Sequence, residues 1–508
     1  MKILSTAQIR EADAYTIAHE PIASIDLMER AASACAQWIA DRHSDGAAFY
    51  IFCGTGNNGG DGLAIARILN STKYYNIKVF VVRHSDKTSP DFSTNLSRLA
   101  KSKNVDITDI SEPAQLPEIP ENTVVIDALL GSGLSKFLTG LLADVVEHIN
   151  ISKAATIISI DIPTGLFAEA NSGKVICADY TLTFELPKLA FLFPENEPFV
   201  GEWQALPIGL SKEFIAQTAT DYHYITEELI LPLLKKRDKF SHKGTYGHTL
   251  IVAGSKGKMG AAVMAAKSAL RAGAGLVSAH IPNCGYTVLQ SAVPEAMCET
   301  DANETHISGR IKTGNCSAVA VGPGIGSDAD TVRALKLLIQ DTTINTVFDA
   351  DALNIIAENK TWFPFIRGGS ILTPHPKEFE RLFGKTDNSF ERLKLQREMA
   401  MKYGFYIVLK GAHTSIASPD GSVYFNSTGN PGMATGGSGD VLTGIICGLL
   451  AQGYKPYEAS MLGVYLHGVA GDIAAEKMSE QGMTAMDIIE GMGEAWKNLT
   501  AETQRRKE

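Results

Sequence analysis

Between Ser5 and His43 the apolar positions Ile9, Ala12, Ile17 and then Leu27, Met28, Ala31, Ala32, Cys35, Trp38 and Ile39 recur every three to four residues. That is the period of an amphipathic helix, and Pro21 divides the run into two predicted helices. After the turn pair Asp45-Gly46, the unbroken apolar run "AAFYIFC" predicts a buried strand. A glycine loop follows, and "DGLAIARILN" returns to helical spacing. Further strands are predicted at "IKVFVV", "TVVIDALL", "TIISIDIP" and "YTLTFE", with helical segments between several of them. Strands alternating with helices predict a mainly parallel sheet, since each parallel neighbour needs a crossover.

The pattern weakens between Pro207 and His242, where no clear strand stands out and the chain turns basic and polar. A second alternation then runs through "HTLIVAG", "GAAVMAAKSALRAGAG", "LVSAHIP", "SAVAVGPGIG", "NTVFDADALN", "SILTPHPKEFERL" and "YIVLKG" to a final helix starting near Asp440. No repeat maps one half onto the other. Two different α/β domains are expected, residues 1–216 and 226–503, joined by a linker at 217–225.

Composition agrees with two full cores. The chain has 508 residues, and a length prior of ~100–200 residues per domain gives more than one. Apolar residues make up 45% and charged residues 20%, the profile of a globular protein. A net charge of −10 spread along the chain argues against a nucleic-acid partner, because no basic face emerges. Seven cysteines are scattered without C-x-x-C spacing, which suggests neither a disulfide frame nor a zinc site. The N-terminal stretch carries acids where a secretory signal needs an apolar run, and no segment approaches a membrane span. A cytoplasmic protein without a membrane partner is expected.

"CGTGNNGGDG" (Cys53 to Gly62) contains G-x-G-x-x-G between a strand and a helix, a context that favours pyrophosphate at the helix N-terminus. A tight structural turn accounts for the same glycines. An ordinary NAD dehydrogenase is disfavoured, because the next strand ends in Arg83 and His84 where an acid would hold ribose hydroxyls. Asn57 and Asn58 suit a polar ligand or a hard cation. Asp127 and Asp161 fall at predicted strand ends, where turn capping and catalysis compete as explanations.

Together, "GTGNNGGDG", "DALLGSGLS", "DIPTGL" and "TFELPK" resemble the YjeF N-terminal domain, the epimerase of hydrated NADH and NADPH. The resemblance implies a Rossmann-like three-layer αβα domain. By it, Asn57, Asn58, Gly59, Gly60, Asp61, Gly131, Ser132, Gly133, Leu134, Ser135, Lys136 and Phe137 contact the hydrated nucleotide. It further implies that Asp161 is catalytic and that Asn58, Asp127 and Thr164 hold K⁺. This chain carries Ser132 where many members have threonine, Thr164 where serine is common, and Phe137 where a basic residue is common.

In the second half, "NPGMATGGSGDVLTG" crowds glycines before a helix whose first turn contains Asp440. Successive N–H groups in such a bend form a nest for a phosphoryl oxygen, and a carboxylate beside it can accept a hydroxyl proton. A glycine-rich helix start with a dipole-complementing acid is the plainer alternative. "VGPGIG", "TPHPKEFERL" with His375 between prolines, and "LKGAHT" with Lys410 add to the set. In this order the motifs resemble the YjeF C-terminal domain, a ribokinase-like αβα fold that dehydrates NAD(P)H hydrates with ADP or ATP. The resemblance implies that Ala261, Gly326, His375 and catalytic Asp440 meet the hydrate. Lys410, Gly411, Ala412, His413, Thr414 and Gly439 would meet the adenine nucleotide, with Mg²⁺ on its phosphates. A homo-oligomer is implied by the same relatives. The rival reading is a ribokinase-like kinase of a vitamin-precursor alcohol carrying a noncatalytic N-terminal binding module.

Overall fold

The computed structural model describes residues 1–505 except Lys73, Tyr75, Lys103, Ser135 and Asn171. It divides into two compact units, residues 2–220 with 388–390, and Met1 with 221–387 and 391–505.

The first unit is a seven-stranded parallel sheet: β1 (Ala48–Cys53), β2 (Ile77–Val82), β3 (Val105–Ile110), β4 (Thr123–Ala128), β5 (Thr156–Ile160), β6 (Tyr180–Phe184) and β7 (Glu202–Leu206), in the order 3-2-1-4-5-6-7. Central β1 and β4 are almost wholly buried, which is why they read as continuous apolar runs. Edge strands β3, "VDITDI", and β7, "EWQAL", do not stand out in the sequence. Each leaves part of its length in solvent and so carries charges. Strand order reverses between β1 and β4, and their carboxyl ends open the crevice where ligands of such sheets bind.

The expected helices are α1 (Thr6–His19) and α2 (Ser24–Ala40), on either side of Pro21. The next, α3 (Asn57–Thr72), begins four residues ahead of the predicted helical stretch, so the Asn-Asn-Gly-Gly run is its first turn rather than a loop. Glycine is poor inside a helix, but a Cβ on Gly59 would sit 1.8 Å from the Gly54 carbonyl oxygen. Close approach of helix to strand selects the residue. Two more helices, α4 (Pro90–Leu99) and α5 (Leu141–Asn150), complete the main layers.

The second unit holds ten strands: β8 (Tyr222–Tyr224), β9 (His248–Val252), β10 (Leu276–Ile281), β11 (Met297–Thr300), β12 (Ala318–Val321), β13 (Thr346–Phe348), β14 (Ile371–Leu372), β15 (Tyr406–Leu409), β16 (Ser415–Ala417) and β17 (Val423–Phe425). Their order is 11-10-9-12-13-14-15-16-17-8, parallel apart from the β15–β16 and β16–β17 pairs. β8 corrects the expectation that 217–225 is only a linker. Its three residues are too few to show an alternation, and its pairing partner, β17, lies some 200 residues away in sequence. The helix Ser438–Ala451 is not the last one, as Pro456–Met478 and Ala485–Arg505 follow it. The helix Met259–Arg271 approaches Ser438–Ala451 so closely that a Cβ on Gly444 would lie 2.1 Å from the Ala265 carbonyl oxygen.

Candidate active sites

In the first unit the strand ends, α1 and the start of α3 surround a cavity of about 640 Å³. Asn57, Asn58, Asp61, Gly131, Ser132, Gly133, Leu134 and Asp161 line it. Gly59 and Gly60 do not; they are packed against Gly54 and Met28. Lys136 and Phe137 are not among the lining residues either, and Phe137 stacks on Phe167 with ring centroids 5.4 Å apart. Ser135 lies outside the described residues.

Asp161 follows β5 with φ +66°, a left-handed conformation that costs a non-glycine residue of order 1–3 kcal/mol. The surroundings hold it there. Its N–H donates to the Leu182 carbonyl at 2.7 Å, Oδ1 accepts from Lys188 Nζ at 2.7 Å, and Oδ2 accepts from the Ser132 N–H at 3.1 Å. Lys188 is 1% exposed and also donates to Thr183 Oγ1 and the Phe184 carbonyl, which fixes its head. Burial raises the Asp161 carboxyl, but the Lys188 charge and these hydrogen bonds outweigh it and hold the acid below its ordinary value. Asp61 goes the other way: burial and the charges of Asp161, Asp13 and Asp91 push it well up.

Behind the cavity, Asp127 is fully buried and accepts from Thr164 Oγ1 at 2.7 Å, the Thr164 N–H at 2.9 Å, Ser159 Oγ at 2.8 Å and the Leu129 N–H at 3.2 Å. Burial nevertheless raises its carboxyl. Asn58 is also buried, and neither Oδ1 nor Nδ2 has a partner. An orphaned amide at a cavity wall calls for a ligand, because leaving it unpaired costs about 1–3 kcal/mol per group.

In the second unit, Gly437 caps the helix Ser438–Ala451 with φ +94°, so the N–H groups of the first turn emerge from a left-handed bend. Asp440 sits in that first turn. Asp349, at the end of β13, accepts from Lys410 Nζ and from Thr443 Oγ1, each at 2.7 Å. Glu378 lies 4.0 Å from the same Lys410 ammonium, and a Cβ on Gly439 would be 3.3 Å from it. "DADALN", "TPHPKEFERL", "LKGAHT" and "GGSGD" thus meet at one point. Burial, then the Asp349 charge, push the Asp440 carboxyl up to about 7, with Lys410 pulling against them.

The remaining candidates are held by local contacts. The Gly326 N–H donates to Asp351 Oδ2 at 2.9 Å, and Ala261 adjoins the same loop at Gly324. His375 caps the helix Pro376–Phe383, its Nδ1 accepting from the Lys377 and Glu378 N–H groups at 3.1 and 3.3 Å. The cap, more than the flanking prolines, orients the ring, and Nε2 lies 3.4 Å from Glu378 Oε1. Gly411 and Ala412 are exposed, Thr414 Oγ1 closes a turn onto Gly411, and His413 bonds the Asn426 carbonyl. Asp349, Lys188 and Asp13 escaped the sequence reading. The first two lie in the quoted stretches "DADALN" and "TFELPK", where a buried charge inside an apolar run was the available signal.

Residues 249–493 match the family profile described as NAD(P)H-hydrate dehydratase, and residues 24–190 match that of the YjeF-related protein N-terminus. The bifunctional NAD(P)H-hydrate repair enzyme of Moorella thermoacetica is 36% identical, over 99% of this chain and 98% of that protein. The chain belongs to the bifunctional NAD(P)H-hydrate repair enzymes. Another member of this family, from Escherichia coli, is 34% identical over 91% of this chain and 88% of its own. A solved structure, the ADP/ATP-dependent NAD(P)H-hydrate dehydratase of Bacillus subtilis co-crystallised with ATP/Mg²⁺, is 31% identical, covers 55% of this chain and 100% of that one, and has a TM-score of 0.48. Among the described residues of this repair-enzyme chain, no helix is long and apolar enough to cross a membrane.

Proposed function

We propose that the first unit interconverts the R and S hydrates of NADH and NADPH and that the second dehydrates the S hydrate with ADP or ATP. The observation that carries the second half is Asp440, a carboxyl with proton affinity near neutrality in the first turn of a glycine-led helix beside Lys410. Hydroxide is a poor leaving group, and phosphorylating the hydroxyl makes it a good one. Asp440 accepts the hydroxyl proton as the oxygen attacks the terminal phosphorus, while the N–H groups of Gly436 to Gly439 and the Lys410 ammonium take up charge on the phosphoryl oxygens. Mg²⁺ accompanying the nucleotide would supply further neutralisation of the phosphate charge. The nitrogen lone pair expels the phosphate, and loss of a proton from the neighbouring carbon then restores the carbon–carbon double bond of the reduced nicotinamide.

In the first unit, Asp161 stays ionised and is aimed by Lys188 and Ser132 into the cavity, as a base requires. Asn58, Asp127 and Thr164 supply amide, carboxylate and hydroxyl oxygens, hard donors that fit K⁺. The unpartnered Asn58 amide and the buried Asp127 carboxyl support that fit. A bound K⁺ would offset the buried charge and help hold a substrate oxygen.

The test mixes purified R and S hydrates with the full chain and either ADP or ATP and follows recovery of reduced-nicotinamide absorbance. Complete recovery from either epimer is expected. A stable phosphorylated product with no recovery would favour the alcohol-kinase reading instead.

A further inference from the structure

We propose that Asp13 is the acid of the N-terminal reaction, working with Asp161 across the cavity. The inference rests on the epimerase reading of that unit and adds a residue that lies ahead of the matched profile, which begins at residue 24. Asp13 is held in place by its helix. Ser5 closes a capping box at the start of α1, and Thr16 Oγ1 accepts from the Ser211 N–H at 2.9 Å. Ala12 is buried on one side of the helix, while Ile9, Arg10, Asp13 and Ile17 face the cavity. The unpartnered Asn58 lines the same space, which marks it as a site for a polar ligand.

The charged groups around Asp13 are Asp161 after β5, Lys188 after β6, Asp61 on α3, Asp91 on α4 and Arg10 on its own helix. Burial, then the Asp161 charge, push the Asp13 carboxyl up to about 6 against the pull of Lys188. Asp161 is held down, so the two environments drive a pair of carboxyls apart, the pattern of an acid matched with a base. Burial, then the charges of Asp161, Asp13 and Asp91, push the Asp61 carboxyl well up too.

Hydration of an enamine places the hydroxyl on the carbon bonded to nitrogen, so the substrate is a hemiaminal. Asp161 takes the hydroxyl proton as the O–H pair becomes the second bond of C=O. The C–N pair leaves to nitrogen, which takes the Asp13 proton. Rotation about the adjacent C–C bond presents the other face, and the reverse transfers close the ring and restore the Asp161 carboxylate and the protonated Asp13. No redox partner is needed.

The full chain is given purified R hydrate without nucleotide, and R to S conversion above the uncatalysed rate is measured from pH 5 to 9. Asp13→Asn should lower it about 10²–10⁴-fold, with melting temperature and nucleotide-dependent dehydration of S hydrate unchanged. The parent enzyme should slow as pH rises through about 6, a limb that Asp13→Glu keeps and Asp13→Asn loses. An Asp13→Asn enzyme that converts within a few-fold of the parent, or keeps the alkaline limb, overturns the proposal while leaving the epimerase reading intact. A parent enzyme that interconverts nothing overturns both.

Discussion

In each unit a lysine with little exposure stands near the principal carboxylate, but the two lysines have different partners. Lys188 binds Asp161 directly at 2.7 Å, and the acid stays ionised. Lys410 lies at the same distance from Asp349 instead, and burial, then the charge of that second carboxylate, raise the proton affinity of Asp440 to about 7 against the pull of Lys410. One intervening acid therefore changes what a nearby lysine does. A base that removes a proton from a hemiaminal can be weak, because the ring opens as it acts. A base that activates a hydroxyl toward phosphorus works best with a proton affinity near the working pH.

The largest expected effects separate the two sites. Asp440→Asn should reduce dehydration of the S hydrate about 10²–10⁴-fold and leave epimerisation alone, and Asp161→Asn should do the reverse. Both rates are read by chromatography of the hydrates, and a single substitution that removes both activities from a folded protein would sink the two-site assignment. Lys188→Met should cost about 3–5 kcal/mol in denaturant unfolding, because it leaves a deeply placed carboxylate unpaired. Unfolding at the parent's midpoint would mean that Asp161 finds another partner.

Asp349→Asn tests the intervening acid itself. Dehydration in the parent, followed as kcat/KM, should fall as pH drops through about 7, since a protonated Asp440 cannot accept a proton. Removing the Asp349 charge and freeing Lys410 both favour the ionised form, so this limb should move about one pH unit or more lower. A limb that stays in place or moves up would contradict the electrostatic account. The smallest effect is expected for His375→Asn. Asparagine is itself a good N-cap, so thermal stability should change by only a few tenths of a kcal/mol. A rise in KM for the hydrate at unchanged stability would then report on the imidazole and its Glu378 contact rather than on the cap.

Much of this arrangement is legible in the sequence. The buried central strands announce themselves as apolar runs, and Asp440 is placed in a first helical turn by the glycines ahead of it. Half-solvated β3 and β7 lack that signal, and β8 depends on a partner far along the chain. Gly59 and Gly60 look like ligand loops in sequence, yet in the fold they let α3 pack closely. Lys188 and Asp349 are hardest to read, because their significance lies in a contact. Lys188 meets an aspartate 27 positions away, and Asp349 a lysine 61 positions away.

By itself, the sequence determined two α/β domains and the family, and it singled out Asp161 and Asp440 as candidates, since periodicity, glycine spacing and motif order are local or collinear properties. Only the tertiary structure decided which of these acids is ionised and which holds its proton near neutrality. Proton affinity depends on burial and on charges within a few ångströms, and those distances exist only once distant strand ends and helix starts have been brought together.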